Sequence, residues 1–247
     1  MHPLVIGFML TLLFSASDTP AHNPQQDSHD KQPGRTVILV HGYAKGPEDM
    51  ETLAKLLEKR GYRPVTVDLP LTFEHVQEAA EVFAKRVENI LSNLPDNEPV
   101  AMVGHSTGGL IIRYFLSHNP NHRQVTHAVL IATPNQGSTL ARKLGDFSDL
   151  LLETLATLDS LQPEKISGLE LSVPERTSIG AIAGNKTTML LGGLLDEEND
   201  GRVEVESVYY PELDDFVILG YSHKEIHHKK ATAELVDRFL KKGSFSR

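Results

Sequence analysis

Residues 100–109, with the sequence VAMVGHSTGG, decide the fold of this chain. The apolar start of the stretch predicts a buried strand, and the apolar residues 110–116 predict that a helix follows. A serine with glycines two positions before and after it fits a tight turn between such a strand and helix. The turn lifts Ser106 above the sheet edge at a helix N-terminus, where amide N–H groups favour negative charge. Ser106 is therefore the candidate nucleophile; the alternative, a helix-capping serine, needs no second glycine.

Strand and helix signals alternate on both sides of this turn. Such alternation predicts a parallel sheet, and near-continuous apolar strands predict that helices cover both of its faces. The expected fold class is α/β, with about six mostly parallel strands. The apolar runs that predict strands are residues 37–40, 64–68, 100–103, 125–131, 179–183 and 216–219. Helical spacing occurs at residues 48–59, 76–94, 110–116 and 233–240.

Two further residues can complete the set that an activated serine needs. A general base must lie beside Ser106, and a carboxylate must orient that base. In sites built on such a turn the order along the chain is Ser, then Asp or Glu, then His. Ser106, Asp200 and His223 follow this order. Asp200 precedes Gly201 and a segment at residues 203–208 that is β-like in composition.

Three histidines follow the last predicted strand, and His223 is the predicted base among them. Active-site groups in open parallel sheets lie just beyond the carboxyl ends of strands, and His223 is the nearest of the three to that end. His227 and His228 lie one helical turn further on, beside two lysines, where we expect a solvated face. The spacing of His223 and His227 also fits a zinc site on a helix, but no third ligand is evident.

A second turn, His41-Gly42-Tyr43, follows the first predicted strand. Stabilising an oxyanion needs two N–H groups aimed at one point. We expect one from the backbone amide of Thr107, directly after the nucleophile, and the other from the backbone amide of Tyr43. Gly42 allows the backbone to turn the Tyr43 amide inward.

These stretches resemble the lipase and esterase branch of bacterial α/β-hydrolases. The resemblance rests on the two turns and also on residues 133–138 (TPNQGS), residues 200–203 (DGRV), and His223 with Ile226. It implies a compact fold of six parallel strands that lacks the first two strands of larger members. It also implies that Ser106 is the nucleophile, Asp200 the acid and His223 the base, with oxyanion amides at Tyr43 and Thr107.

The implied reaction is hydrolysis of a carboxylic ester, on a small molecule or a lipid, through an acyl-enzyme. We expect no cofactor and no metal. The same three residues can transfer the acyl group to another alcohol or cleave an amide, so an acyltransferase and an amidase are alternatives. Two alternatives of another class are a catalytically silent member that binds a hydrophobic ligand and a zinc hydrolase that uses His223 and His227.

Residues 139–178 interrupt the alternation of strands and helices and form a predicted small cap. Leucines and one phenylalanine recur there at helical spacing, which fits either a core helix or a mobile lid over an acyl pocket. These positions are Leu144, Phe147, Leu151, Leu155 and Leu158. The preceding residues, 133–138, fit either a plain turn or part of a pocket wall.

The composition excludes several kinds of site. The chain has 247 residues, enough for one α/β domain, and a formal net charge of −9. Nucleic acids and anionic membranes need basic patches, so we expect no nucleic acid as a partner. A membrane is expected only as a substrate surface or through an uncleaved N-terminal segment. The absence of cysteine excludes disulfides, thiolate metal sites and a cysteine nucleophile.

The N-terminus predicts export. Residues 4–14 are apolar and uncharged, which is shorter than the roughly 20 residues of a membrane span. With the small residues that follow, the pattern fits a signal peptide at residues 1–17, cleaved near Ser17 or Ala21, and a secreted or periplasmic protein. The segment begins without Lys or Arg, so anchoring by an uncleaved signal is the alternative. Residues 18–34 are polar and predict a flexible linker before a domain at residues 35–247.

Overall fold

Six strands pair in one parallel sheet, as the apolar runs predict. The strands are β1 (Thr36–Val40), β2 (Arg63–Val67), β3 (Val100–His105), β4 (Val125–Ile131), β5 (Ser178–Gly184) and β6 (Asp215–Leu219). They lie in the order β2-β1-β3-β4-β5-β6, and each neighbouring pair is parallel. The structure, a computed structural model, describes residues 34–147, 156–172, 174–187, 195 and 197–246.

Helices connect the strands and flank the sheet. They are α1 (Glu51–Glu58), α2 (Val76–Ser92), α3 (Thr107–His118), α4 (Thr139–Phe147), α5 (Ala156–Ser160), α6 (Pro163–Ser167), α7 (Val205–Val208) and α8 (Lys230–Lys242). Short 3-10 turns occupy Pro47–Met50, Pro120–Gln124 and Ile226–His228. The predicted helix at residues 48–59 is thus a 3-10 turn that continues into α1. Helix α8 ends at Gly243, whose left-handed φ of 70° suits a helix C-terminus.

Alternate residues of the central strands β1, β3, β4 and β5 enter two apolar cores, one on each face of the sheet. On one face, Ile38 and Met102 belong to the core that α2 and α3 complete. On the other face, Leu39 and Val103 belong to the core that α1 and α8 complete. This two-sided burial explains why the strands read as continuous apolar runs. The predicted α/β class, with helices on both faces, is confirmed.

The strand order changes direction at β1. From β1 the chain moves outward to β2 and then returns to β3, which pairs with the other edge of β1. The connections that leave β1 and β3 therefore run in opposite directions, and a crevice opens between them at the carboxyl ends of the strands. Ser106 and the loop at residues 41–46 follow these two strands directly, so the topology places both beside the crevice.

The segment at residues 203–208 is not a strand, contrary to its β-like composition. Val205–Val208 form α7, a single helical turn. Strand β5, which precedes this segment along the chain, already pairs with β4 on one side and β6 on the other, so no sheet edge is free there. Val203 and Val208 are instead buried in the core that contains α3.

Several sequence predictions concern residues outside the described part of the chain. The signal peptide at residues 1–17 stays a prediction, as does the linker at residues 18–34. Leu151 and Leu155 of the predicted lid also lie outside the described residues. Within the described residues, no helix has the length and apolar character needed to cross a membrane.

Candidate active site

Ser106 lies on a sharp turn between β3 and α3. Its φ is 54°, a left-handed conformation that costs a non-glycine residue on the order of 1–3 kcal/mol. Close backbone packing holds this turn in place. A Cβ at Gly104 would lie 2.5 Å from the Gly109 nitrogen, and a Cβ at Gly108 would lie 2.4 Å from the His41 carbonyl oxygen. Only glycine therefore allows the strand and helix to approach closely enough to fix the serine in this conformation.

The ring of His223 joins Ser106 to Asp200 through two hydrogen bonds. Nδ1 lies 2.8 Å from Oδ2 of Asp200, and Nε2 lies 3.0 Å from Oγ of Ser106. Because a carboxylate only accepts hydrogen bonds, Nδ1 carries the proton and Nε2 turns its lone pair toward the serine hydroxyl. All three side chains are buried. The structure thus brings together the three residues that the sequence predicts as nucleophile, base and acid.

Both carboxylate oxygens of Asp200 are held in place. Oδ2 faces His223, while Oδ1 accepts hydrogen bonds from the backbone N–H groups of Arg202 (3.0 Å) and Val203 (2.9 Å). A left-handed turn at Gly201, with φ of 99°, folds these amides back onto the side chain. The backbone N–H of His223 also donates to the Asp200 carbonyl at 2.9 Å. The acid and the base are therefore fixed to each other through side chain and backbone.

The buried ring of His41 orients the turn after β1. Its Nδ1 donates to the Gly42 carbonyl at 3.0 Å, and its Nε2 accepts the Leu69 backbone N–H at 3.1 Å. In a trans peptide the N–H points away from the preceding carbonyl oxygen. The bond to the Gly42 oxygen therefore turns the Tyr43 N–H away from the His41 ring. A Cβ at Gly42 would lie 3.0 Å from the Ser106 Cβ, so this peptide lies against the serine.

The two predicted oxyanion amides, of Tyr43 and Thr107, lie close to Ser106. Thr107 is the first residue of α3, so its N–H has no acceptor within the helix. Tyr43 lines the same cavities as Ser106. Among the described residues, neither backbone N–H donates to another residue. Both amides are therefore available to a ligand at the serine.

A cavity of about 370 Å³ opens at Ser106 and His223. Its apolar lining comes from Ala44, Pro134, Leu140, Ala141, Leu161 and Val203. Leu140 and Ala141 lie in α4, within the predicted cap, so the described part of the cap contributes to this wall. Pro134 and Ser138 also line the cavity, which favours a pocket wall over a plain turn for residues 133–138.

Three basic side chains, Lys45, Arg202 and Lys224, line the same cavity. They gather there although the chain has a net charge of −9. Lys45 lies 3.9 Å from a carboxylate oxygen of Asp49. In the described part of the chain, neither Arg202 nor Lys224 is paired with a carboxylate. The cavity therefore combines an apolar wall with three basic side chains, two of which have no carboxylate partner among the described residues.

A second cavity, of about 90 Å³, borders Ser106 and His223 and is lined by Asp49, His105 and His227. The prediction that His227 lies on a solvated face is wrong, because its exposed fraction is 1%. Its ring stacks on that of His105, with 3.7 Å between centroids. The 3-10 turn Ile226–His228 packs against α1, and this packing carries the ring inward.

Burial and neighbouring side chains both shift the pKa values of this cluster. Burial lowers the pKa of His105 well below its usual range, and the neighbouring rings of His227 and His223 act in the same direction. His105 is therefore neutral, and its Nε2 donates to the His223 carbonyl at 3.1 Å. Burial raises the pKa of Asp49, but His227, Lys45 and His228 together outweigh burial, so the net shift is downward.

A family model of the alpha/beta hydrolase fold matches residues 35–170, more than half of the chain. The chain belongs to this family. The matched residues include β1, the serine turn and the first part of the cap. The membership that the motifs indicate is confirmed.

Solved structures share the fold of this α/β-hydrolase. The mature form of the lipase BlEst2 of Bacillus licheniformis has a TM-score of 0.72 and 20% identity, covering 88% of this chain and 95% of that chain. Phospholipase PlaB of Legionella pneumophila has a TM-score of 0.67 and 19% identity, covering 85% of this chain and 60% of that chain. At these identities the likeness shows the fold alone.

Among curated relatives, Methylesterase 3 of Arabidopsis thaliana is 29% identical over 105 residues, which are 40% of this chain and 40% of the relative. The match to the first relatives covers only 29% to 40% of their length.

The sequence did not predict two features of this α/β-hydrolase. The cluster of Asp49, His105 and His227 joins residues from three distant segments, and no motif connects them. Arg202 and Lys224 are single basic residues, yet each follows a predicted triad residue closely in the chain. Because Arg202 and Lys224 are so close in sequence to Asp200 and His223, their position beside the cavity could have been predicted.

Proposed function

We propose that this α/β-hydrolase cleaves carboxylic esters through an acyl-enzyme on Ser106. The observation that carries the proposal is the chain of hydrogen bonds from Asp200 through His223 to Ser106. A serine activated in this way is a nucleophile for acyl transfer. The two unpaired amides of Tyr43 and Thr107 add the donors that a tetrahedral intermediate needs.

Acylation uses all of these groups. Ser106 Oγ attacks the ester carbonyl carbon while Nε2 of His223 takes the hydroxyl proton. The carbonyl oxygen becomes an oxyanion, which the N–H groups of Tyr43 and Thr107 hold, and Asp200 stabilises the imidazolium. The intermediate then collapses, the bond to the alcohol oxygen breaks, and the departing alcohol takes the proton from His223. The acyl group remains as an ester on Ser106.

Deacylation repeats these steps with water as the nucleophile. Water attacks the acyl carbon and gives a proton to Nε2 of His223. When the second tetrahedral intermediate collapses, Oγ of Ser106 leaves and recovers that proton. The products are the carboxylic acid and the free enzyme. Ester, water and the side chains of the chain account for every bond and proton, so the proposed reaction needs no cofactor. Both ring nitrogens of His223 are engaged in this scheme, which argues against a zinc hydrolase built on His223 and His227.

The cavity beside Ser106 supports a class of substrate. Its volume of about 370 Å³ lies near the lower end of the roughly 300–1,000 Å³ that ligand pockets span. The apolar wall from the cap suits an acyl chain. Lys45, Arg202 and Lys224 suit a negatively charged group elsewhere on the same substrate. We therefore propose an ester with an apolar acyl part and an anionic group, either a phosphate or a carboxylate.

Two measurements together test the proposed activity. A fluorophosphonate probe should label the wild-type chain on Ser106 and leave Ser106→Ala unlabelled. Hydrolysis of p-nitrophenyl esters from acetyl to palmitoyl should then depend on Ser106 and show the preferred acyl length. Labelling without turnover of any ester would favour the amidase or the acyltransferase, and addition of an amide substrate and of an alcohol acceptor to the same assay separates these two. Absence of labelling would favour the silent ligand-binding member.

A further inference from the structure

A second group of chemically reactive side chains borders the catalytic serine without taking part in the proposed reaction. Asp49 belongs to the 3-10 turn before α1, His105 is the last residue of β3, and His227 belongs to the 3-10 turn after β6. Oδ2 of Asp49 lies 3.1 Å from Nε2 of His227 and 3.9 Å from Nδ1 of His105. One ligand atom from each of the three residues lies within 4.8 Å of the other two.

The buried atoms of this group lack hydrogen-bond partners. His105 and His227 have exposed fractions of 4% and 1%. Oδ2 of Asp49, Nδ1 of His105 and both ring nitrogens of His227 have no partner among the described residues. The 3.1 Å contact of Asp49 with His227 has the length of a hydrogen bond but not its direction. Unpaired buried polar atoms are costly, so several of them facing one small cavity favour the binding of a ligand there.

The tautomer of His105 leaves a lone pair facing this group. Its Nε2 lies 3.1 Å from the His223 carbonyl oxygen, which can only accept, so Nε2 carries the proton. Nδ1 therefore has its lone pair free on the side of Asp49. Histidines that bind metals usually donate their second ring N–H to a carbonyl or a carboxylate in this way.

We propose that Asp49, His105 and His227 bind a divalent transition-metal ion of the zinc class. Two imidazoles and one carboxylate form a ligand set that suits Zn²⁺, with a fourth position open. Tetrahedral zinc with Zn–N bonds of about 2.0–2.1 Å places its ligand atoms roughly 3.3 Å apart. The separations of 3.1 and 3.9 Å from Asp49 are close to that value, and the two histidine atoms lie within 4.8 Å of each other, so the rings must rotate to bring all three atoms to an ion.

Among the residues that the structure describes, two other charged or titratable groups face Asp49. Nζ of Lys45 and Nε2 of His228 each lie 3.9 Å from its other carboxylate oxygen, Oδ1. Lys45 has a side chain that is 46% exposed, so it can move toward solvent when an ion binds. The site does not depend on the proposed ester hydrolysis, since none of its three ligands is assigned a step in that reaction.

The test is metal binding by the full chain, followed without any assay of activity. The chain is stripped with a chelator and titrated with Co²⁺, whose visible absorption reports its coordination, and then with Zn²⁺ in competition. We expect one ion per chain and a rise in the melting temperature when it binds. Asp49→Asn and His227→Gln should each weaken binding by more than about tenfold, the smaller end of what even indirect changes around a metal cause.

The matched control is His118→Gln, which removes an exposed histidine at the end of α3 and should bind the ion like the wild type. Circular dichroism without metal shows whether each variant is folded. The proposal is overturned if the folded wild-type chain binds neither ion. It is also overturned if Asp49→Asn and His227→Gln are folded and bind as tightly as the wild type, since the ion then lies elsewhere.

Discussion

Nε2 of His223 lies 3.0 Å from Oγ of Ser106, within the range expected for a base beside its nucleophile. The contact places the proton acceptor on the serine before any substrate arrives. Substitution of Ser106, and of the Asp200 that orients His223, tests whether this contact serves catalysis.

Ser106→Ala removes the proposed nucleophile. The side chain is small and the change removes a single oxygen, so we expect the melting temperature to change little. We expect kcat to fall by about a millionfold, as for other serine triads. Ester hydrolysis and fluorophosphonate labelling measure the loss. A rate above about a hundredth of the wild type would contradict the assignment of Ser106.

Asp200→Asn tests the orientation of the base. An asparagine can present its NH₂ group to Nδ1 of His223, which would move the ring proton to Nε2 and remove the acceptor that faces Ser106. We expect kcat to fall by about 10⁴-fold with little change in KM. Lys55→Ala, an exposed change on α1, is the control. Equal rates for the two variants would exclude Asp200 as the orienting acid.

His41→Leu tests the orientation of the Tyr43 amide. The change leaves the Gly42 carbonyl and the Leu69 N–H without their partner, which costs about 1–3 kcal/mol of unfolding free energy for each buried group. If the amide then turns away from the oxyanion, kcat should fall by roughly 10²–10³-fold while KM stays similar. Urea unfolding and steady-state kinetics separate the two effects. Tyr43→Phe keeps the backbone amide and should remain active; its inactivity would point to the phenol instead.

Arg202→Ala and Lys224→Ala test the charge of the substrate. Each variant should lower kcat/KM for an ester with a phosphate or carboxylate group by up to about tenfold, because opposite charges across a contact steer and hold the ligand. A neutral ester with the same acyl chain should be affected much less, and added salt should reduce the difference. Equal losses on both esters would contradict an anionic substrate. Comparison of a phosphate with a carboxylate ester identifies which anion fits.

Tyr210→Phe tests stability at alkaline pH. Burial raises the pKa of Tyr210 to about 12, although Arg113, whose guanidinium lies 4.0 Å from the ring centroid, acts in the opposite direction. Between about pH 10 and 12 the unfolded chain loses this proton while the folded chain keeps it. The free energy of unfolding of the wild type should therefore fall by up to about 1.4 kcal/mol per pH unit in that range.

The phenylalanine variant should lack this contribution to the pH dependence. The Tyr210 hydroxyl has no hydrogen-bond partner among the described residues, so its removal should not lower stability at neutral pH. Urea unfolding at neutral pH and above about pH 10 measures both effects. An identical alkaline loss in wild type and variant would show that another group controls it.

The residues of the site that the sequence could predict are those that closely follow the carboxyl end of a strand. Ser106 follows β3 and His223 follows β6, and both strands are apolar runs that the sequence displays. Local patterns could not place His227, because its burial depends on how a 3-10 turn packs against α1. The same limit applies to Asp49, whose partners lie far away in the sequence. Composition also misassigned residues 203–208, since valines suit a buried core position as well as a strand, and β5, the strand before them, already has a neighbour on each side.

The position of β6 at the edge of the sheet has a consequence for folding kinetics. This strand carries His223 toward Ser106, and in the described part of the chain it pairs with β5 alone. Contacts between residues so distant in sequence form slowly, whereas helices form early. We therefore expect reactivity with a fluorophosphonate to return later in refolding than helical circular dichroism. For this chain, the reactivity of Ser106 should therefore report completion of folding more reliably than helical circular dichroism does.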